Sequence, residues 1–320
     1  MNDNLVMILA YNESKNIQKT IEGLANKFDI VLVVNDCSTD RTPKILDNLK
    51  TVYKNLYILN NEKNMGAGRS FQIGANYIIN KFENIENIIK IDGDGQFEEK
   101  DVIQISNLLK TGDVSYIKSN RFWDSGIDGE IPTIRYFGNS LASFLIKFVT
   151  GQFGMNDPLN GLMGFKNNFL RKINIPKYFN RYGYPFYINT LSVKLKINSL
   201  EIKNTVKYNI GEKSQLKALP VLIKLIYFSI VYFFKNINIK LKDSNLQISG
   251  LLDIFFIAAQ ILSYFAMYKM LSIRFFNVAG IQSNWLIIFL IIQIFSFVIL
   301  YYSKSLENNY RSKFINFLNL

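Results

Sequence analysis

Short apolar runs alternate with helix-periodic segments along the first third of the chain. Patterns typical of buried strands occur at Leu5–Ala10, Ile30–Val34, Leu56–Leu59 and Ile88–Asp92. Between these runs, apolar residues recur at the three- and four-residue spacing of amphipathic helices. Four such alternations predict an α/β domain with a mainly parallel sheet.

Polar clusters follow three of the four predicted strands directly. Asn12 and Glu13 follow the first strand, Asn35 and Asp36 follow the second, and Asp92 ends the fourth. Ligands of open parallel sheets bind beyond the carboxyl ends of the strands. We therefore expect these side chains to line one crevice.

The segment from Asp92 to Gln96 carries oxygen ligands at every second position. Asp92, Asp94 and Gln96 are separated by two glycines, which permit a turn and a close approach of a ligand. Mg²⁺ and Mn²⁺ prefer such hard oxygen donors. Taken alone, the same residues also fit an acidic turn that caps the next helix.

The middle of the chain predicts further strands and helices around a polar loop. We expect a helix at Asp101–Lys110, a strand near Val114–Lys118, a loop at Ser119–Arg135, an apolar helix at Phe137–Thr150, a strand at Leu162–Phe165 and an edge strand at Leu200–Val206.

Three apolar segments lie in the last third of the chain. Leu219–Phe234 has lysines spaced through and around it, which favours a helix in a membrane interface, although a core-packing helix has a similar pattern. Leu251–Leu271 and Trp285–Tyr302 are long enough to span, since about 20 helical residues cross the hydrocarbon core.

The basic residues predict the orientation of these two spans. Six lysines lie in the segment from Lys213 to Lys242, both ends included, and further basic residues follow the second span, whereas the connecting loop has only Arg274 beside it. Positive flanks belong on the cytoplasmic side. We expect a multi-pass protein of the cell membrane, with a cytoplasmic domain at 1–215, interfacial helices at 216–245 and a membrane domain at 246–320 whose spans lie near 251–271 and 285–302.

Composition excludes several classes of chemistry. The 320 residues include no histidine and a single cysteine, Cys37. A zinc site, a Ser-His-Asp triad and a disulfide framework are therefore excluded, and the chain fits a reducing compartment. The net charge of +12 does not indicate nucleic-acid binding, because the lysines cluster beside apolar helices.

Four motifs in this order resemble those of the family 2 glycosyltransferases, which have the GT-A nucleotide-sugar-binding fold. They are Ile8–Glu13, Val33–Asp40, Asn64–Gly66 and Asp92–Gln96, and the resemblance extends over residues 4–215. More narrowly, the chain resembles polyprenyl-phosphate glycosyltransferases, the group that contains dolichol-phosphate mannosyltransferase.

The resemblance implies a role for each motif residue. Donor-binding residues would be Ala10, Tyr11, Glu13, Asp36 and Asp92. Metal ligands for Mg²⁺ or Mn²⁺ would be Asp92, Asp94 and Gln96. The acceptor phosphate would contact Arg121, Arg135 and Ser214. The catalytic group would comprise Asp92, Asp94, Asp157 in an Asp-X-X-X-Gly segment, and Lys213 on a loop that closes over the diphosphate.

Four features depart from the pattern of that family, one of them the absence of the usual acidic residue near Tyr187, Ile188 and Asn189. Leu9 replaces the usual proline, Asn35 replaces the first of two aspartates, and Gly93 stands where alanine is common. None of them removes an expected metal ligand. Asn35 leaves the identity of the nucleotide base open.

The resemblance implies inverting transfer of a sugar from a GDP- or UDP-linked donor to undecaprenyl or dolichyl phosphate, in the synthesis of a cell-envelope glycan. A homo-oligomer is compatible with the same pattern. Two alternatives remain open on the sequence. One is a glycosyltransferase that acts on a hydroxyl of another lipid or a growing glycan, with Asp157 as the base. The other is a catalytically silent membrane scaffold.

Overall fold

A computed structural model describes residues 4–122, 127–128, 133–207, 218–275, 284–310 and 314–316. The chain divides into two compact units. The first, here the sheet unit, comprises residues 1–147, 153–227 and 312–320. The second, the helical unit, comprises residues 148–152 and 228–311.

Strands and helices alternate along the sheet unit as the apolar pattern predicts. The strands are β1 Asn4–Ala10, β2 Ile30–Asn35, β3 Leu56–Asn60, β4 Asn87–Asp92, β5 Tyr116–Asn120, β6 Ile127–Asp128, β7 Met163–Lys166, β8 Ser199–Lys203, β9 Val206–Lys207 and β10 Phe314–Asn316. The helices are α1 Ile17–Ala25, α2 Thr42–Val52, α3 Ala67–Lys81, α4 Glu99–Thr111, α5 Thr133–Thr150, α6 Asn167–Leu170 and α7 Tyr184–Lys194.

The main sheet has the strand order β10-β8-β5-β7-β4-β1-β2-β3. β7 is antiparallel to its neighbours β4 and β5, and all the other pairs are parallel. The expected mainly parallel α/β sheet is therefore confirmed. The ends of β1, β2, β4 and β5 share one edge, and the chain enters β7 at that same edge because β7 runs in the opposite direction.

The central strands are buried on both faces because helices cover them. Every residue of β1 and β2 is buried, in keeping with their continuous Val, Ile and Leu runs. α1 turns Ile17, Ile21 and Leu24 inward, which is the face that its sequence periodicity predicts. Each fully buried side chain of this kind contributes roughly 1.5–3 kcal/mol through its removal from water.

Two expectations for the middle of the chain are wrong. The strand predicted at Leu200–Val206 is not at an edge, because β10 pairs in parallel with β8 through Phe314 and Ser199. The loop predicted at Ser119–Arg135 is shorter, because Ser119 and Asn120 continue β5 and α5 already begins at Thr133.

Three long helices follow the sheet unit. They are α8 Ala218–Lys242, whose residues from 228 belong to the helical unit, α9 Gln247–Phe275 and α10 Asn284–Tyr310. By length and composition all three could cross a membrane, with mean hydropathies of 1.4, 1.7 and 2.4. The sequence predicted two spans. The third candidate arises because α8 continues beyond Phe234 through a second apolar stretch that contains Ile237 and Ile239.

Candidate active site

The loops after β1 and β2 are joined by a set of short hydrogen bonds. The Asn12 side-chain oxygen accepts from the Thr39 backbone N–H at 2.7 Å, and the Asn12 N–H donates to Ser38 Oγ at 2.9 Å. The Glu13 N–H donates to Thr42 Oγ1 at 2.9 Å. Asn12 has a φ of +59°, a conformation that asparagine tolerates better than most residues. This bracing fixes Ala10, Tyr11 and Glu13 at the end of β1.

Asp40 supplies a further contact between the same two loops. Its carboxylate accepts from the backbone N–H groups of Ser14 at 3.1 Å and Thr42 at 2.8 Å. Burial raises the pKa of Asp40, but the hydrogen bonds from Thr42 and Ser14 outweigh it, and the net shift is downward. The carboxylate therefore stays ionised and accepts from the first residue of α2, where the helix dipole favours a negative charge.

The Asp36 carboxylate accepts hydrogen bonds from the loop before α3. Its two oxygens accept from the Met65 and Gly66 backbone N–H groups at 2.7 Å each, and Asn61 Nδ2 donates at 2.8 Å. Gly66 has a φ of +87°, and a Cβ there would lie 2.5 Å from Arg181 Cγ. Asp36 thus holds a glycine turn in place, and its expected contact with the nucleotide base stays a prediction.

Asp92 ends β4 beside a fully buried lysine. Lys90 Nζ donates to Asp92 Oδ1 at 2.6 Å and to the Gly161 carbonyl at 3.0 Å, and it lies 5.5 Å from the Tyr184 ring centroid. Burial lowers the pKa of Lys90, but Asp92 and Tyr184 outweigh it, so the net shift is upward. Sequence reasoning missed Lys90. Its available signal was a lysine inside an apolar strand, two residues before Asp92 and so on the same face.

Gly161 gives Asp92 the space that it occupies. A Cβ at this position would lie 2.1 Å from Asp92 Oδ2 and 3.3 Å from Lys90 Nζ. The glycine of the Asp157–Gly161 segment is therefore required by the close approach of the Asp92 carboxylate.

Asp94 and Gln96 form a tight turn after β4. Asp94 Oδ1 accepts from the Gln96 N–H at 3.0 Å, and Gly95 has a φ of +77°. Helix α4 begins only at Glu99 and has no side-chain cap hydrogen bond, so the capping interpretation of the two aspartates is not supported. The Gln96 carbonyl accepts from the Lys207 N–H at 2.9 Å, which attaches this turn to β9.

The donor set after β4 suits a hard divalent cation. Asp92, Asp94 and Gln96 offer carboxylate and amide oxygens, the ligands that Mg²⁺ and Mn²⁺ prefer. The described residues contain no group of three or more His, Cys, Asp or Glu that could hold a metal ion. A cation at this turn would accordingly take further oxygen ligands from water or from a substrate diphosphate.

Asp157 is locked to Arg121. Its carboxylate accepts from Arg121 Nε at 2.8 Å and Nη2 at 3.0 Å, from the Arg121 backbone N–H at 3.0 Å, and from Asn160 Nδ2 at 2.9 Å. Burial raises the pKa of Asp157, but the charge and hydrogen bonds of Arg121 outweigh it and the net shift is downward. The carboxylate is a structural partner of Arg121 and a weak base.

A second buried ion pair, between Lys118 and Glu201, holds the backbone next to Asp157. Lys118 Nζ donates to Glu201 Oε2 at 2.9 Å and to the Asn156 carbonyl at 2.5 Å, and the Asn156 N–H donates to the same Glu201 oxygen at 3.1 Å. Burial raises the pKa of Glu201 more than Lys118 lowers it. The pair fixes the backbone at Asn156 and hence the position of Asp157.

A cavity of about 650 Å³ opens beside the Asp157–Arg121 pair. It lies between α5 and the segments that contain the end of β5 and Asp157. Its lining comprises Asn120, Phe122, Tyr136, Asn139, Ser140, Ser143, Phe144, Lys147, Asn156 and Asp157.

A family comparison decides what kind of protein carries these features. The model of "Glycosyl transferase family 2" matches residues 5–174, which is more than half of the chain. The chain belongs to glycosyl transferase family 2. The match includes β1 to β5, the Asp92–Gln96 turn and the Asp157–Gly161 segment, and so it covers most of the candidate site of this glycosyltransferase.

Solved structures show the same fold for much of the chain. Glucosyl-3-phosphoglycerate synthase from Mycobacterium tuberculosis, solved with Mn²⁺, UDP-glucose and phosphoglyceric acid, superimposes with a TM-score of 0.52 at 15% identity. The match covers 72% of this chain and 80% of that one. The expected GT-A fold of the glycosyltransferase is therefore confirmed.

Curated relatives match shorter parts of the chain. A protein of Methanocaldococcus jannaschii is 31% identical over 144 residues, which is 44% of this chain and 59% of that protein. Dolichyl-phosphate beta-glucosyltransferase ALG5A of Trichomonas vaginalis is 25% identical over 131 residues, or 36% of this chain and 39% of that enzyme. The chain thus spans less than two thirds of the length of each.

Three of the expected site residues lie outside what the structure describes. Lys213 and Ser214 fall in the segment 208–217, and the side chain of Arg135 is also outside it, although its backbone belongs to α5. Their roles stay predictions of the sequence.

Proposed function

We propose that this glycosyltransferase transfers a sugar from a nucleotide sugar to a polyprenyl phosphate at a membrane surface. The Trichomonas vaginalis relatives are named dolichyl-phosphate beta-glucosyltransferases, and the mycobacterial neighbour was solved with UDP-glucose and Mn²⁺. Three apolar helices suit a lipid acceptor, because they would hold the site where such a lipid is presented. A GDP- or a UDP-linked donor fits equally.

The observation that carries the proposal is the charge balance at the cavity beside Asp157. Of the described residues that line it, Asp157 is the sole carboxylate, and Arg121 occupies it. Such a cavity lacks a free carboxylate among its described lining residues that could act as a general base. A phosphate acceptor is already ionised near neutral pH and does not need one, whereas a hydroxyl acceptor does.

The same geometry disfavours transfer to a hydroxyl. That alternative relies on Asp157 as the base, but both oxygens of this carboxylate accept hydrogen bonds from Arg121, and its pKa is lowered. Proton abstraction would require breaking that pair first. Asp157 is better explained as the residue that orients Arg121 toward an anionic acceptor.

In the proposed reaction an oxygen of the acceptor phosphate attacks the anomeric carbon of the sugar. The bond between that carbon and the donor diphosphate breaks, the nucleoside diphosphate leaves, and the configuration inverts. Asp92, Asp94 and Gln96 would hold Mg²⁺ or Mn²⁺, which when bound supplies charge stabilisation to the leaving diphosphate. Arg121 and Arg135 would offset the repulsion between the two phosphate groups, and Lys213 would add charge stabilisation.

A donor panel tests the proposal directly. Membranes that contain the chain are incubated with polyprenyl phosphate and labelled GDP- and UDP-sugars, and the lipid extract is analysed. We expect label in the lipid with one donor, and release of nucleoside diphosphate only when polyprenyl phosphate is present. Absence of lipid-linked label with every donor would contradict the proposal.

Asp94→Ala tests the metal assignment within the same assay. We expect loss of transfer with unchanged membrane insertion, because one of two expected carboxylate ligands is removed. Asp47→Ala, on the exposed surface of α2, is the matched control and should keep full activity. Transfer that survives Asp94→Ala would remove Asp94 from the metal site.

A further inference from the structure

One face of α5 carries a row of polar side chains toward the cavity. Asn139, Ser143 and Lys147 are spaced four residues apart, so they lie above one another along the helix. All three line the cavity. The apolar residues that α5 buries, Ala142, Ile146 and Val149, lie on another face of the helix, so the polar row requires a separate explanation.

The row is poor in protein partners. Asn139 is 7% exposed, and its side-chain oxygen has no hydrogen-bond partner among the described residues. Burying such a group without a partner costs free energy, and buried polar groups in native proteins are normally satisfied. The unpaired atom is an acceptor, so an anionic ligand would pair with this amide only after a half-turn that exchanges its oxygen and its N–H groups.

Lys147 is the surplus cation of this region. Lys118 is paired with Glu201 and Arg121 with Asp157, at 2.9 and 2.8 Å. Lys147 donates to the Asn156 side-chain oxygen at 2.9 Å and makes no ion pair within the described part of the chain. Burial lowers the pKa of Lys147, and Lys118 lowers it further, while Glu201 raises it. An anion in the cavity would compensate this charge.

Aromatic side chains line the same cavity. Phe122 and Tyr136 pack edge to face with ring centroids 5.9 Å apart, and Tyr136 and Phe144 are 52% and 55% exposed. The lining thus combines a cation and amide on one helix face with apolar rings. A ligand that matches both parts has a phosphate head and an apolar chain.

We propose that the cavity between α5 and the Asn156–Asp157 segment binds the phosphate head of a prenyl phosphate, with Lys147 as its cation and Asn139 and Ser143 as its hydrogen-bonding partners. The inference rests on the proposed function and adds three residues to the acceptor side of the site. The Asn139 amide can present its N–H groups to phosphate oxygens by a half-turn of the side chain.

Binding of farnesyl phosphate to the detergent-solubilised full chain, measured by calorimetry without a donor, tests this inference. Lys147→Met should weaken binding about ten-fold or more, because a charge-assisted hydrogen bond to phosphate is lost. Lys147→Arg should restore most of the affinity, and Ser143→Ala should weaken binding without altering the charge. Lys54→Met, an exposed lysine beside β3, is the control and should bind like the parent chain.

Two further ligands identify what the site recognises. Farnesol should bind far more weakly than farnesyl phosphate, and inorganic phosphate should compete poorly. Equal affinity of the parent chain and Lys147→Met for farnesyl phosphate would overturn the assignment, as would competition by inorganic phosphate as strong as that by farnesyl phosphate. If the donor panel yields no lipid-linked label while binding still depends on Lys147, the proposed transfer fails and the phosphate site stands.

Discussion

Lys90 determines how the Asp92 carboxylate is presented. Its ammonium group holds Asp92 Oδ1 at 2.6 Å and is itself held by the Gly161 carbonyl at 3.0 Å. The other oxygen, Oδ2, lies against Gly161. Because one oxygen is paired with a buried cation, Lys90 would fix the orientation in which Asp92 meets a metal.

Lys90→Met is predicted to weaken metal binding. Without the ammonium group Asp92 loses its orientation, and we expect the dissociation constant for Mn²⁺ in the presence of UDP or GDP to rise about ten-fold, the magnitude typical of a lost residue that orients a metal ligand. Electron paramagnetic resonance of free Mn²⁺ measures this directly. Lys172→Met, at an exposed lysine, is the control. An unchanged Mn²⁺ affinity in Lys90→Met would show that Asp92 does not depend on Lys90.

The candidate site could be predicted from the sequence only where its residues end a strand. Asp36, Asp92 and Asp94 stand out because carboxylates directly follow apolar runs. Lys90 does not, because its burial depends on Gly161 and Tyr184, which only the folded chain brings beside it. The pairing of Asp157 with Arg121 likewise joins two segments that lie far apart along the chain.

The three long helices share a buried cluster of four charges within the helical unit. Lys240 of α8 contacts Asp253 of α9 at 2.7 Å and Glu307 of α10 at 2.5 Å. Lys304 of α10 lies 3.3 Å from Glu307 and 3.8 Å from Asp253. Two lysines and two acids balance, so the loss of any single one leaves the cluster with a net charge. Ionisable groups in apolar helices are costly unless they are paired in this way.

Asp253→Asn is predicted to destabilise the helical unit strongly. Removing one acid leaves a buried positive charge in excess, which typically costs about 3–5 kcal/mol. Thermal unfolding in detergent, followed by circular dichroism, should show a clearly lower midpoint. The double variant Lys240→Met with Asp253→Leu restores the balance and should recover much of the loss. Lys242→Met, at an exposed lysine of α8, should leave the unfolding midpoint unchanged. A drop in the midpoint as large as that of Asp253→Asn would contradict the role of the cluster.

The local sequence pattern predicts which helices and strands form better than it predicts which of them lie side by side. The strand and helix alternation up to β4 is confirmed because each element has its own apolar periodicity. The prediction that β8 is an edge strand is wrong because its outer neighbour, β10, comes from the C-terminal end of the chain. The length of α8 was underestimated because Lys235 interrupts its apolar run, yet a single exposed lysine does not end a helix.

At the scale of the whole molecule, the chain path constrains the number of membrane crossings. The main sheet contains β1 to β5, β7 and β8 from before the three long helices and β10 from after them. Strands of one sheet lie on one side of a membrane, so the chain must cross an even number of times in between. Three candidate spans cannot all cross, and α8 has the lowest mean hydropathy, 1.4.

We therefore predict that α8 lies along the interface and that α9 and α10 cross. Lys224 and Lys235 are both exposed and eleven residues apart, which places them on one face of α8, as an interfacial helix requires. In a Cys37→Ser background, Lys224→Cys and Lys235→Cys should react with an impermeant maleimide from the same side of sealed vesicles, and Gln282→Cys, between α9 and α10, from the opposite side. A crossing α8 would place both positions, about 16 Å apart along the helix, largely within the ~30 Å hydrocarbon core. Two unreactive cysteines in α8 would therefore contradict the interfacial position, and a third crossing would also contradict the pairing of β10 with β8.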